Sequence, residues 1–117
     1  MKDNREYGII GAKDGTYIID VTKVKSPELV KFIPARHDDG TNRDYHDFNN
    51  YLYMVCDQGE SSLQIADLSY LPDSVPIVYD SDELMIRCHN LFIDSAKARL
   101  YACGVTIPDT GSGRRVD

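Results

Sequence analysis

Two polar pairs in this 117-residue chain combine ionisable and amide groups in one recurring setting: Arg43-Asp44 and His89-Asn90. Each pair stands at or just ahead of a short strand-like run. A guanidinium beside a carboxylate, and an imidazole beside an amide, are the groups that hold a small polar ligand or an ion at the mouth of a cleft. Neighbouring residues on a strand point to opposite faces, so one member of each pair at most looks into a shared space. The competing role is structural, with Arg43 and Asp44 pairing to neighbouring loops and His89 bonding a backbone carbonyl.

A second group, His37, Asp38, Asp39, His46 and Asp47, carries side chains suited to zinc or calcium. The strongest metal candidates are His37, Asp39 and His46, but their spacing matches no recognised site, and Asp38-Asp39-Gly40 reads equally as a solvated turn. Nucleophilic catalysis has less behind it. Ser61, Ser62, Ser69, Ser74, Ser81 and Ser95 fall in turns, and none sits in a Gly-x-Ser-x-Gly elbow. No glycine-rich phosphate loop is present, and the residues imply no cofactor. Cys56, Cys88 and Cys103 lie within apolar strand patterns, show no C-x-x-C spacing, and read as small buried hydrophobes.

Composition limits the partners. The net charge is −6, with no Lys/Arg run longer than two, which argues against nucleic acid. No apolar run approaches the roughly 20 residues of a helical membrane span. Met-Lys-Asp-Asn-Arg-Glu at the start has no apolar stretch of the signal-peptide kind.

Short strands are the elements that must position these groups. Tyr7 to Ala12, Thr16 to Val21 and Leu29 to Ile33 come first, with Lys13-Asp14-Gly15 as a hairpin turn. Arg43 to Phe48, Tyr51 to Cys56 and Ser62 to Leu68 follow, joined by Asn49-Asn50 and by Asp57-Gln58-Gly59. Asparagine and glycine tolerate the positive φ of tight turns. Ile77 to Tyr79, Cys88 to Asp94 and Arg99 to Gly104 complete the set, and no amphipathic helical period of useful length appears.

The strands repeat. Ile9-Ile10-Gly11, Met54-Val55-Cys56 and Ala102-Cys103-Gly104 occupy one place, 45 and then 48 residues apart. Ile18-Ile19-Asp20-Val21 and Ile65-Ala66-Asp67-Leu68 occupy another. Asp20 and Asp67 are expected to accept backbone N–H bonds in the turns that follow, and Tyr53 and Tyr101 to pack between repeats. A period near 46 residues filled by four strands is the size of a propeller blade. The expected fold is all-β, a partial β-propeller of four-stranded antiparallel blades. Residues 1–34 form the end of a first blade, 35–80 a complete central blade, 81–105 the first half of a third, and 106–117 a loose tail. The first copy then lacks its innermost strand and the last stops after two, so further blades are expected from a longer chain or a second subunit.

The runs REYGIIGAKDGTYIIDVT, NRDYHDFNNYLYMVCDQGESSLQIADLSYLPDSVPIVYDS and RCHNLFIDSAKARLYACG resemble LVIVD-repeat proteins, and more narrowly the choice-of-anchor B group of bacterial surface proteins. The resemblance implies a propeller at the cell surface or outside the cell, held by a separate C-terminal anchor, and brings no established enzyme activity or ligand. The expected function is a non-catalytic repeat module that presents loops to a protein or small polar ligand. The alternative is a metal-dependent, lactonase-like hydrolase with its site at the channel mouth.

Overall fold

The computed structural model describes residues 4–36, 40 and 42–107, together with the backbone of 115 and 116. These residues are all-β. A first antiparallel sheet takes β1 (Tyr7–Ala12), β2 (Gly15–Asp20) and β3 (Glu28–Pro34) in chain order. The second takes β4 (Arg43–Phe48), β5 (Tyr51–Cys56), β6 (Leu63–Asp67) and β7 (Ile77–Ser81), again in chain order. The third is the pair β8 (Asn90–Asp94) and β9 (Arg99–Cys103). A two-residue ladder joins β10 (Val105–Thr106) to β11 (Arg115–Val116). None of the sheets among the described residues closes on itself.

Local chemistry accounts for the turns. Asn49 and Asn50 both take positive φ, 50° and 67°, which gives the β4–β5 connection the twist that a two-residue hairpin requires. Gly15 opens β2 at φ 152°, where a Cβ would collide with the Ile33 carbonyl oxygen. Ala98 (φ 52°) closes the β8–β9 loop, whose backbone N–H groups at Ala96 and Lys97 are held by the Asp94 carboxylate at 3.1 and 3.3 Å.

The middle sheet is covered on both faces, which explains why β5 reads Tyr-Leu-Tyr-Met-Val-Cys without polar alternation. Leu52, Met54 and Ala66 turn one way and meet Ile18 and Ile33 of the first sheet, with Leu71 and Val75 closing the cluster. Val55 and Leu63 turn the other way and meet Met85, Cys88, Leu91 and Val105. Two cores therefore sit between three successive sheets. Among the described residues the outer faces of the flanking sheets are uncovered: Ile10 and Leu29 on the first are 51% and 61% exposed, and Phe92 and Tyr101 on the third are 58% and 47% exposed.

Several sequence expectations need correction. Tyr101 does not pack between sheets, and Cys103 is exposed, because no described residue covers the outer face of β8–β9; Tyr53, Cys56 and Cys88 are held in the cores or buried as expected. The repeat register is also different. Ile9 lies opposite Ile18 as Tyr53 lies opposite Ile65, so Ile9 corresponds to Tyr53 and not to Met54. The β1–β2 loop is Lys13-Asp14, whereas residues 57–62 form the β5–β6 loop, and the longer loop shifts one strand against the other in the sequence alignment. Thr106 belongs to no loose tail: its backbone bonds Arg87 and Ile86 at 3.0 and 2.7 Å. Residues 108–114 and 117 lie outside the described residues.

Candidate functional site

The strand β4 lies between the two flanking sheets, and its alternation aims side chains at both. Arg43 and Tyr45 face the first sheet. The Arg43 guanidinium donates from Nε to the Ala12 carbonyl at 2.6 Å and from Nη2 to the Lys13 carbonyl at 3.0 Å, gripping the β1–β2 turn. The Tyr45 hydroxyl and Thr16 Oγ1 are 2.8 Å apart. Burial pushes the Tyr45 phenol above its ordinary pKa, against the opposing effect of the Thr16 bond.

Asp44 and His46 face the third sheet. Asp44 Oδ2 accepts the backbone N–H of Leu91 at 2.9 Å, and the His46 ring meets the Phe92 ring edge-on with centroids 5.7 Å apart. His89 precedes β8 and pairs through Nδ1 with Asp57 Oδ2 at 2.8 Å, so its partner is a carboxylate and not the backbone carbonyl expected. Asn90 begins β8 opposite Cys103, and its carbonyl accepts the Cys88 thiol at 3.1 Å. Burial raises the Cys88 pKa, with the carbonyls of Cys103 and Asn90 pulling the other way. The four residues read from the sequence do not share one seam: Arg43 faces the first sheet, while Asp44, His89 and Asn90 lie on the side of the third. Arg43 and Asp44 are bonded to the sheets on either side, whereas His89 and Asn90 keep exposed surface.

The metal candidates do not assemble. His37, Asp38 and Asp39 lie outside the described residues. His46 is turned toward Phe92, while the alternation of β4 sends Asp47 to the opposite face. Among the described residues no three His, Cys, Asp or Glu side chains converge to hold an ion. The buried serines have local partners: Ser61 donates to the Gln58 carbonyl, and Ser62 donates to Asp80 Oδ1 at 2.8 Å.

A second polar seam escaped the sequence reading. Asp80 accepts from Ser62 and from Gln64 Nε2, the latter at 3.2 Å, while Gln64 Nε2 also donates to the Pro34 carbonyl at 3.1 Å and Arg36 stands 3.7 Å from Asp80. These groups tie the end of β3 to the middle sheet. Nearby, Thr16, Arg43, Tyr45, Cys56, Ser61 and Gln64 surround a cavity of ≈ 10 Å³, room for about one water. The signal available was Gln64 itself, an amide interrupting the apolar run of β6 and only 7% exposed. Asp57 and Thr16 carry no comparable signal, because their partners are distant in sequence.

The recurring aspartates behave as their spacing indicates. Asp20 Oδ1 accepts the Thr22 N–H and Asp67 Oδ1 accepts the Ser69 N–H, both at 2.9 Å. The side-chain hydroxyls of Thr22 and Ser69, and then these backbone bonds, hold both carboxyls below the ordinary 3.8. A depressed folded-state pKa stabilises the fold above the ordinary carboxylate range and is lost as pH falls through the lowered value. Melts recorded from pH 6 to pH 2 should therefore stay level down to about pH 4 and then fall. Asp67→Asn should flatten that acid limb, and an unchanged acid limb in this variant would refute the assignment for Asp67.

Comparison with family models, with curated proteins and with solved structures finds no match for the chain.

Proposed function

We propose that the chain is a non-catalytic repeat module of a β-propeller, of the LVIVD type found in choice-of-anchor B surface proteins, and that it presents loops to a protein or small polar ligand. The observation that carries this reading is the sheet succession. A four-stranded antiparallel meander is flanked on each face by a partial copy of itself, and its first strand bonds to both neighbours. A propeller blade is such a meander, with its first strand innermost and its faces buried by adjacent blades.

Of these four residues, His89 and Asn90 are exposed, whereas Arg43 and Asp44 are half-buried. The test is a binding screen of the chain against sugars, organic acids and extracellular proteins, run beside His89→Ala and Asn90→Ala variants. Binding that weakens at least tenfold in either variant, with the melt unchanged, is the expected result, about 1.4 kcal/mol at the ligand. Turnover of lactone or ester substrates on addition of zinc or calcium would overturn the reading in favour of a hydrolase.

A further inference from the structure

The loop between β2 and β3 borders a polar cavity of ≈ 430 Å³ at the end of the first sheet. Small-molecule sites span roughly 300–1,000 Å³, so the space is of ligand size. Asp20, Thr22, Lys23, Ser26 and Glu28 line it, together with Arg5 from the segment ahead of β1. Hydrogen bonds hold its frame. The Thr22 N–H reaches Asp20 Oδ1, the Glu6 N–H reaches Thr22 Oγ1, and the Ser26 N–H reaches the Lys23 carbonyl, each at 2.9 Å. The matching loop of the middle sheet turns Leu71 and Val75 into the first core, whereas Val24 here is 85% exposed. Residues 22–27 are thus fixed in place, yet they add no side chain to either core.

The lining charges are set in opposition. Asp20 and Glu28 are partners across the β2–β3 ladder, so their carboxylates share one face and repel unless a cation offsets them. Arg5 supplies that cation for Asp20, with Nη1 at 2.9 Å from Oδ2 and the Asp20 side chain only 11% exposed. Among the described residues neither Glu28 nor Lys23 has a side-chain partner, and the two do not pair with each other. With Arg5 matched to Asp20, the cavity still offers one carboxylate and one ammonium. Its complement is a molecule carrying both charges, since an ion of either sign leaves one of them unmatched.

We propose that this cavity binds a small zwitterion of amino-acid to dipeptide size, with its ammonium beside Glu28 and Asp20 and its carboxylate beside Lys23. The Ser26 hydroxyl adds a neutral donor or acceptor. The site stands on the first sheet alone and draws on neither the succession of sheets nor His89 and Asn90.

The probe is alanyl-alanine with both ends free, titrated into the whole chain at millimolar concentration and followed at the backbone amides by NMR. Amides of Thr22, Lys23, Ser26 and Glu28 are expected to shift together with one dissociation constant. The N-acetyl form lacks the ammonium and the C-terminal amide form lacks the carboxylate. Each should bind about fivefold more weakly, the upper range for an exposed ion pair. Glu28→Gln should weaken the free dipeptide by a similar factor and leave the N-acetyl form unchanged. Lys23→Gln should do the converse, sparing the amide form. Both positions are exposed, so the melt should not move. Equal binding of free and blocked forms overturns the proposal, as does the absence of any response at these four amides. A response confined to His89 and Asn90 overturns this site and leaves the proposed function standing.

Discussion

Replacing Ile18 with alanine should cost about 2–5 kcal/mol, a large share of the roughly 5–15 kcal/mol that holds a domain of this size. Ile18 is 0% exposed and is the contact that β2 makes with Leu52, Met54 and Ala66 across the first core. The loss combines the transfer energy of the deleted carbons with the cavity they leave between two sheets that cannot collapse freely. Ile10→Ala is the control, because Ile10 is equally apolar but 51% exposed on the uncovered face; its cost should stay within about 0.5 kcal/mol. Urea unfolding of the two variants checks both values. Equal costs would mean that the first sheet does not rest on the middle one through this face.

Removing the Asp44 carboxylate should be the most damaging polar change. Asp44→Ala leaves the Leu91 N–H, on a residue only 7% exposed, without its acceptor, at about 1–3 kcal/mol. The effect should also be local. With the tie gone, β8 itself loses its side-chain bond to β4 and keeps the second core, the Cys88 N–H to Cys56 carbonyl bond and the His89–Asp57 pair, so amides of Leu91 and Ile93 should exchange before those of Leu52 and Met54. Asp44→Asn retains an acceptor and should lose less, while Asp47→Ala, an exposed change on the opposite face, should fall within about 0.5 kcal/mol. A loss for Asp47→Ala as large as that for Asp44→Ala would show that the Leu91 bond does not carry the difference.

The resemblance to LVIVD-repeat proteins and the geometry support the proposed function differently. The resemblance supplies only an expectation of a surface location and brings no ligand. The geometry supplies the succession of sheets and the disposition of the four residues, of which Arg43 and Asp44 are taken up in joining sheets while His89 and Asn90 remain open to solvent. That division explains why the binding test uses the second pair and the stability test the first.

Most strands were legible residue by residue. Arg43–Phe48 and Tyr51–Cys56 appear where the sequence places them, because runs carrying alternating aromatics on either side of Asn-Asn favour a hairpin. The Asp20 and Asp67 turns were legible for the same reason: a carboxylate two residues before an N–H is a local interaction, complete within a few residues of chain. The copy alignment was not, since loops of different length separate matching strands and only the hydrogen-bond register shows that Ile9 matches Tyr53.

By itself, then, the sequence determined the elements: antiparallel strands, their turns, a repeating order and the absence of helical periodicity, all set by interactions between near neighbours in the chain. Tertiary structure alone decided burial and partnership. Tyr53 and Tyr101 occupy equivalent positions, yet the first is held in a core and the second is 47% exposed, because a third sheet covers one face and no described residue covers the other. Asp44 found Leu91, His89 found Asp57 and Thr16 found Tyr45 across long stretches of chain. Such contacts depend on where whole sheets come to rest, and local residue patterns do not encode that.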